Sequence, residues 1–212
     1  GGDGDDGGDP VCPVPRSYAS AVLSRNGTAL IAGGQESEIG GTKASIAVDE
    51  FDFDTLRFVT PQPAQLPSPA SKPVLTLLPT GKILLVGRTA PAELIDDTDW
   101  HFEAADTEEL PELSQSRAWQ TATPLPDGRI FIAGGYADVG TVGADASRDS
   151  AELFDPVTMT STPVATPMLS RRLAHTATLL PAEGDHGPRV LLVGGMSAWK
   201  TTDQPGDVAT ET

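Results

Sequence analysis

Few side chains in this 212-residue sequence have the types from which catalytic or binding chemistry is built: three His (101, 175 and 186), one Cys (Cys12), two Tyr and three Trp. None stands in a pattern that activates a nucleophile. There is no G-x-S-x-G elbow, no H-E-x-x-H and no C-x-x-C, so neither acyl transfer nor a tight metal centre is signalled. Asp3, Asp5 and Asp9 with Gly7 have the look of a calcium loop but lack the downstream Glu that completes one, so they read as solvated chain. No metal and no cofactor is expected. Cys12 is alone and cannot close a disulfide within the chain. What remains is recognition. Tyr136 and Trp199 follow short apolar runs at the start of variable stretches, and Trp119 is expected near the same mouth. Amphipathic aromatics of this kind anchor protein or carbohydrate ligands. Gln120 and His175, which occupy one slot in two sister repeats, complete the candidate binding set.

The elements that must position these residues are visible as repeats. Four apolar runs end in glycine: Leu30-Ile31-Ala32-Gly33-Gly34, Leu84-Leu85-Val86-Gly87-Arg88, Phe131-Ile132-Ala133-Gly134-Gly135 and Leu191-Leu192-Val193-Gly194-Gly195. They begin at positions 30, 84, 131 and 191, spacings of 54, 47 and 60 residues. Each follows a turn signal (Asn26-Gly27, Thr80-Gly81, Asp127-Gly128, or the longer 184–188). Before each turn lies another extended segment: 16–24, 72–79, 117–126 and 172–181. Three of these open on Arg16, Arg117 and Arg172, and Ala70 stands where the second unit would have its arginine. After the glycines come a loop and a third strand, expected at 50–54, 92–96 and 151–156. A Pro-, Thr- and Ser-rich segment then follows, suited to an outermost strand with a free edge. Each unit is therefore expected to be a four-stranded antiparallel sheet. The units span about 16–69, 70–116, 117–170 and, in part, 171–212.

This pattern resembles the kelch-type β-propeller over about Arg16 to Gly195, through its double glycines and the aromatic-Asp-Pro turn at Phe154-Asp155-Pro156. The resemblance implies an all-β fold of four-stranded blades, with about 3.5 blades in residues 11–212. The second unit departs from the pattern by losing its second glycine to Arg88. Gly33, Gly34, Gly87, Gly134, Gly135, Gly194 and Gly195 are expected to be architectural, permitting positive φ and close backbone approach. Arg16, Arg117 and Arg172 are expected to bond carbonyls of the adjoining blade, because recurrence at equivalent positions signals scaffold. Kelch-type copper oxidases use tyrosines, a tyrosine-linked cysteine and histidines. Tyr18, Tyr136, Cys12 and the three scattered histidines do not match that arrangement by motif.

Composition narrows the partners. With 22 Gly and 19 Pro, about one residue in five interrupts regular packing, which opposes a helical bundle. A formal charge of −16 opposes nucleic-acid and anionic-membrane binding, and no apolar run is long enough to span a bilayer. Residues 1–10, built only from Gly, Asp and a Pro, are expected to be a flexible acidic linker. They resemble the segment that follows the lipid-modified cysteine of bacterial lipoproteins, which implies an extracytoplasmic place and a lipid anchor upstream of Gly1. The leading expectation is a non-catalytic binding scaffold recognising protein or glycan through its blade loops. The alternatives are a sugar-acting enzyme, oxidase- or epimerase-like, and a structural or adhesive surface module.

Overall fold

The computed structural model describes residues 15–59, 65–66, 68–87, 92–96, 113–114, 117–136 and 147–197. The expected linker, Cys12, His101, Arg88 with its loop and Trp199 lie outside them. Among the described residues the chain is all β, and no helix is long and apolar enough to cross a membrane. The strands are β1 (Arg16–Ser17), β2 (Ser20–Leu23), β3 (Thr28–Ala32), β4 (Gln35–Glu38), β5 (Gly41–Ala44), β6 (Val48–Asp52), β7 (Arg57–Val59), β8 (Val74–Leu77), β9 (Lys82–Val86), β10 (Glu93–Asp96), β11 (Thr121–Pro124), β12 (Ile130–Ala133), β13 (Ala151–Asp155), β14 (Thr160–Pro163), β15 (Thr176–Leu180) and β16 (Arg189–Val193).

Every pairing is antiparallel and follows chain order within a unit. The first sheet runs β2-β3-β6-β7, the second β8-β9-β10, the third β11-β12-β13-β14 and the fourth β15-β16. A small sheet, β1-β4-β5, stands apart, because the loop after Gly33-Gly34 folds into a hairpin of its own.

Two expectations are corrected. The strands before the turns start later than expected, at Ser20, Val74, Thr121 and Thr176. The reason is local: Tyr18, Lys72, Trp119 and Ala174, each two residues after the arginine position, have φ of 57°, 52°, 60° and 53°, a left-handed geometry that no strand continues through. The third strand of the first unit is Val48–Asp52 rather than 50–54. Asp52 is the first residue of the turn, where its carboxylate accepts the N–H of Asp54 and Thr55, as Asp155 accepts those of Val157 and Thr158.

The core forms between sheets. Leu30 and Ala32 of the first sheet pack against Leu75, Ile83, Leu85 and Ile95 of the second. On the opposite face of the second sheet, Leu84 and Val86 pack against Ile130, Ile132 and Phe154 of the third. β9 is therefore covered on both sides, which is why its sequence is apolar without alternation. The first strands β2, β8, β11 and β15 lie side by side in that order. Tyr18 and Trp119, from sheets that are not neighbours, meet with ring centroids 5.6 Å apart. The units thus converge at the end that precedes their first strands.

The double glycines join one unit to the next. Gly34 N–H donates to Ala70 O at 2.9 Å, and Gly135 N–H donates to Arg172 O at 2.8 Å. At Gly134 (φ +62°) an added Cβ would lie 2.5 Å from Arg172 O and 2.8 Å from His175 Cε1. Gly134→Ala is therefore expected to cost about 2–4 kcal/mol, left-handed strain plus overpacking. Gly27→Ala, at φ +84° with open space around it, is expected to cost only the strain, about 1–2 kcal/mol. Urea midpoints of the two variants check the contrast; equal losses would mean that the close approach at Gly134 carries no energy.

Candidate functional site

Each unit begins with the same four-residue device, and every candidate among the described residues sits on or beside it. At its first position Arg117 is buried, 1% exposed. Its Nε donates to Glu152 Oε1 at 2.9 Å, its Nη1 to Gly134 O at 2.8 Å and Ser150 O at 3.0 Å, and its Nη2 to Ser150 Oγ at 3.0 Å. Glu152 also accepts from Ser161 Oγ and Ser114 N–H. Burial works against its charge, but the bonds from Ser161, Ser114 and Arg117 outweigh burial and hold its pKa below the usual value. Arg16 repeats the arrangement with Asp49 at 2.5 Å and Ile31 O at 3.1 Å. Arg172 donates to Gly194 O at 2.9 Å and Ser170 Oγ at 2.7 Å. The carbonyls that these arginines reach, Ile31 O, Gly134 O, Ser150 O and Gly194 O, all belong to the arginine's own unit, while Ser170 lies at the end of the unit before Arg172. The expected bonds to carbonyls of the adjoining unit are corrected in these contacts: the guanidinium braces carbonyls of its own sheet, whereas the backbone carbonyl at positions 70 and 172 receives the neighbouring glycine.

In the second unit Ala70 replaces the arginine, and Glu93, the counterpart of Glu152 by register with the central strand, stays buried without it. Neither carboxylate oxygen is in a well-formed hydrogen bond among the described residues. Burial therefore pushes its pKa up to about 7, against a smaller pull from Ser68.

The second position pairs with the residue after the glycines. Ser17 lies opposite Gln35, Ala118 opposite Tyr136 and Leu173 opposite Met196. Tyr136, half-buried, is thereby bridged between Ala118 on one side and Ser147 on the other. The third position is the left-handed residue, and there three units converge. The Lys72 ammonium lies 4.5 Å from the centroid of the Trp119 ring and 5.2 Å from that of Tyr18, so one cation is shared by two π faces. Tyr18 is 56% exposed, and Lys72 and Trp119 are half-buried.

The fourth position ties the unit to the one before it. Gln120 Nε2 donates to Val86 O at 3.0 Å, and His175 Nε2 lies 3.0 Å from Thr121 Oγ1. Both side chains are buried, and Gln120 Oε1 and His175 Nδ1 have no hydrogen-bond partner among the described residues. Burial, reinforced by the Arg172 charge, lowers the His175 pKa to about 4, so the ring is neutral at pH 7. That state suits a hydrogen-bonding structural histidine better than a proton shuttle working near neutrality.

The structure thus joins Trp119 to Tyr18 and Lys72, turns Gln120 to the preceding unit, pairs Tyr136 with Ala118 through the backbone, places His175 one unit further on, and leaves Trp199 outside the described residues. Tyr18 and Lys72 were not singled out by sequence reasoning. The signal for them was present: both stand two residues after the arginine position, as Trp119 does. Among the described residues no group of three or more His, Cys, Asp or Glu is placed to hold a metal. No model of a known protein family and no curated protein matches this sequence.

Proposed function

We propose that the chain is an arc of a kelch-type β-propeller acting as a non-catalytic binding scaffold outside the cytoplasm, with its recognition end at Tyr18, Lys72, Trp119 and Tyr136. The arc reading is supported by the recurring four-residue device and by first strands that converge while their sheets stack. The extracytoplasmic reading is supported by the Gly/Asp segment 1–10. The observation that carries the function is the cluster itself. Three successive units each spend their one left-handed, non-glycine residue at this position on a large aromatic or a cation, and these meet at a single spot. The left-handed geometry, about 1–2 kcal/mol of strain in each unit, recurs at Ala174 in the fourth and belongs to the scaffold; what marks the first three units is the large side chain placed there. A pair of rings with a cation between them suits an aromatic or sugar face together with an acidic group on a protein or glycan.

A glycan array and a protein-interaction screen with the full chain, followed by titration of each hit against Trp119→Ala and Tyr18→Ala, test the reading. Both variants are expected to weaken binding tenfold or more while leaving the thermal midpoint nearly unchanged. A confirmed ligand held equally well by both variants would remove the cluster from the site. Turnover of a sugar in the same assay would favour an enzyme instead.

A further inference from the structure

The turns that lead into β3, β9 and β12 are built alike. Asn26-Gly27, Thr80-Gly81 and Asp127-Gly128 hold the same two positions, and their glycines have φ of 84°, 94° and 88°. Thr80 and Asp127 are exposed although the second and third sheets each have a sheet on either side. Exposure at Asn26 therefore belongs to the turn position and not to the place of its unit in the chain. Only the first turn joins an asparagine to the glycine, and Asn26 is the one asparagine in the sequence. A glycine there leaves its backbone nitrogen uncrowded by any Cβ, so the neighbouring carboxamide is open to attack by it. Two further features are peculiar to this turn. Ser24 Oγ and Thr28 Oγ1 both donate to Asn26 Oδ1, the second at 3.0 Å. Donors on that oxygen stabilise the negative charge it takes on when a nucleophile adds to Cγ. Gly27 N–H reaches Ser24 O only at 3.4 Å, whereas Gly81 and Gly128 N–H lie 2.9 and 3.0 Å from Leu78 O and Leu125 O. The nitrogen beside Asn26 is thus the most loosely held of the three.

We propose that Asn26 is a site of spontaneous deamidation, at which the Gly27 nitrogen attacks a carboxamide polarised by the Ser24 and Thr28 hydroxyls. Hydroxide takes the Gly27 amide proton, and the nitrogen adds to Asn26 Cγ. The Cγ–Nδ2 bond then breaks, and ammonia leaves with a proton from water, which restores the hydroxide. Water opens the resulting succinimide at either carbonyl, giving aspartate or isoaspartate. Both products add a negative charge at the turn. Isoaspartate also lengthens the main chain by a methylene between Leu23 and Ala29, which pair across the hairpin. The third turn shows what protects a sister position. Asp127 would reach the same imide by loss of water, but it is held as a carboxylate, a poor electrophile: Arg129 donates to its Oδ2 from Nε at 2.9 Å and Nη2 at 2.6 Å, and these bonds lower its pKa below the usual value.

Incubation of the full chain at pH 8 and 37 °C tests this, read by peptide mass mapping and by isoaspartate-specific methylation. A short unfolded peptide spanning Ser24 to Thr28 serves as the clock. The peptide containing Asn26 is expected to gain the mass of an amide-to-acid change, with isoaspartate in excess over aspartate and a rate that rises with pH. The peptide containing Asp127 is expected to stay free of isoaspartate. Thr28→Val keeps the β-branched shape of a strand residue but removes one donor, and it is expected to slow conversion at least about threefold. Thr28→Ser, which keeps the hydroxyl, is expected to convert at the wild-type rate. Asn26 left intact in the folded chain after the clock peptide has converted fully overturns the proposal. Equal rates in wild type and Thr28→Val overturn it too, since the hydroxyls would then take no part. So does isoaspartate forming at Asp127 as fast as at Asn26, which would make the following glycine alone responsible.

Discussion

Replacing Arg117 by methionine is expected to cost the protein about 3–5 kcal/mol, enough to consume much of the margin by which a typical domain is stable. The loss comes less from the attraction between Arg117 and Glu152 than from what is left behind. Glu152 is 0% exposed, so removing its cation strands a carboxylate where water cannot reach it, and Gly134 O and Ser150 O lose donors at the same time. The double variant Arg117→Met with Glu152→Leu should recover much of the loss, since no buried charge then remains. Chemical denaturation of the three variants checks this. A double variant no more stable than Arg117→Met would mean that the brace works through the carbonyls and not through the carboxylate.

Glu93→Gln is expected to do the reverse, and only on one side of the pH scale. A carboxyl whose folded pKa is raised from 4.5 to about 7 contributes its stability below the ordinary value and loses it as pH rises through 7. At pH 8 the wild type therefore carries the whole cost of a buried charge, at most about 3 kcal/mol for a shift of this size, and the glutamine does not. Stability curves of wild type and variant should coincide near pH 4 and diverge from about pH 5 upward. Parallel curves would show that Glu93 meets a cation in solution. His175 acts with opposite sign: its pKa is lowered to about 4, so it erodes stability as pH falls from 6.5 through 4. A Glu93→Gln chain should keep that acid limb.

The contrast between Glu93 and Glu152 shows how far the sequence could be read. The apolar runs and their glycines placed β3, β9, β12 and β16, most plainly β9, because a strand covered on both faces has little freedom in composition. The interruption before each first strand was hidden, since Tyr18, Lys72 and Trp119 are residue types that favour neither the left-handed region nor one another's company in sequence. The third strand of the first unit was placed two residues late because Glu50-Phe51-Asp52-Phe53-Asp54 alternates as a half-buried strand should, and only the turn closed by Asp52 ends it. The Arg117 and Glu152 pair lies 35 residues apart in the chain, so repetition marked the arginines as scaffold without revealing what they brace. Of the candidate site, Trp119, Gln120 and Tyr136 were legible as unusual residues at repeat positions. The meeting of Trp119 with Tyr18 and Lys72 depends on the curvature of the array, which no local pattern encodes.

The bonds from Gly34 to Ala70 O and from Gly135 to Arg172 O use main-chain atoms on both sides. Adhesion between neighbouring repeats is thereby indifferent to which side chain stands at the receiving residue. A lineage can trade arginine for alanine there, as at position 70, and keep the stack intact while the charge balance inside that repeat drifts. Inheritance of the scaffold and divergence of its individual members are separable, so the tolerated changes in a molecule built this way should collect in side chains and spare the glycines.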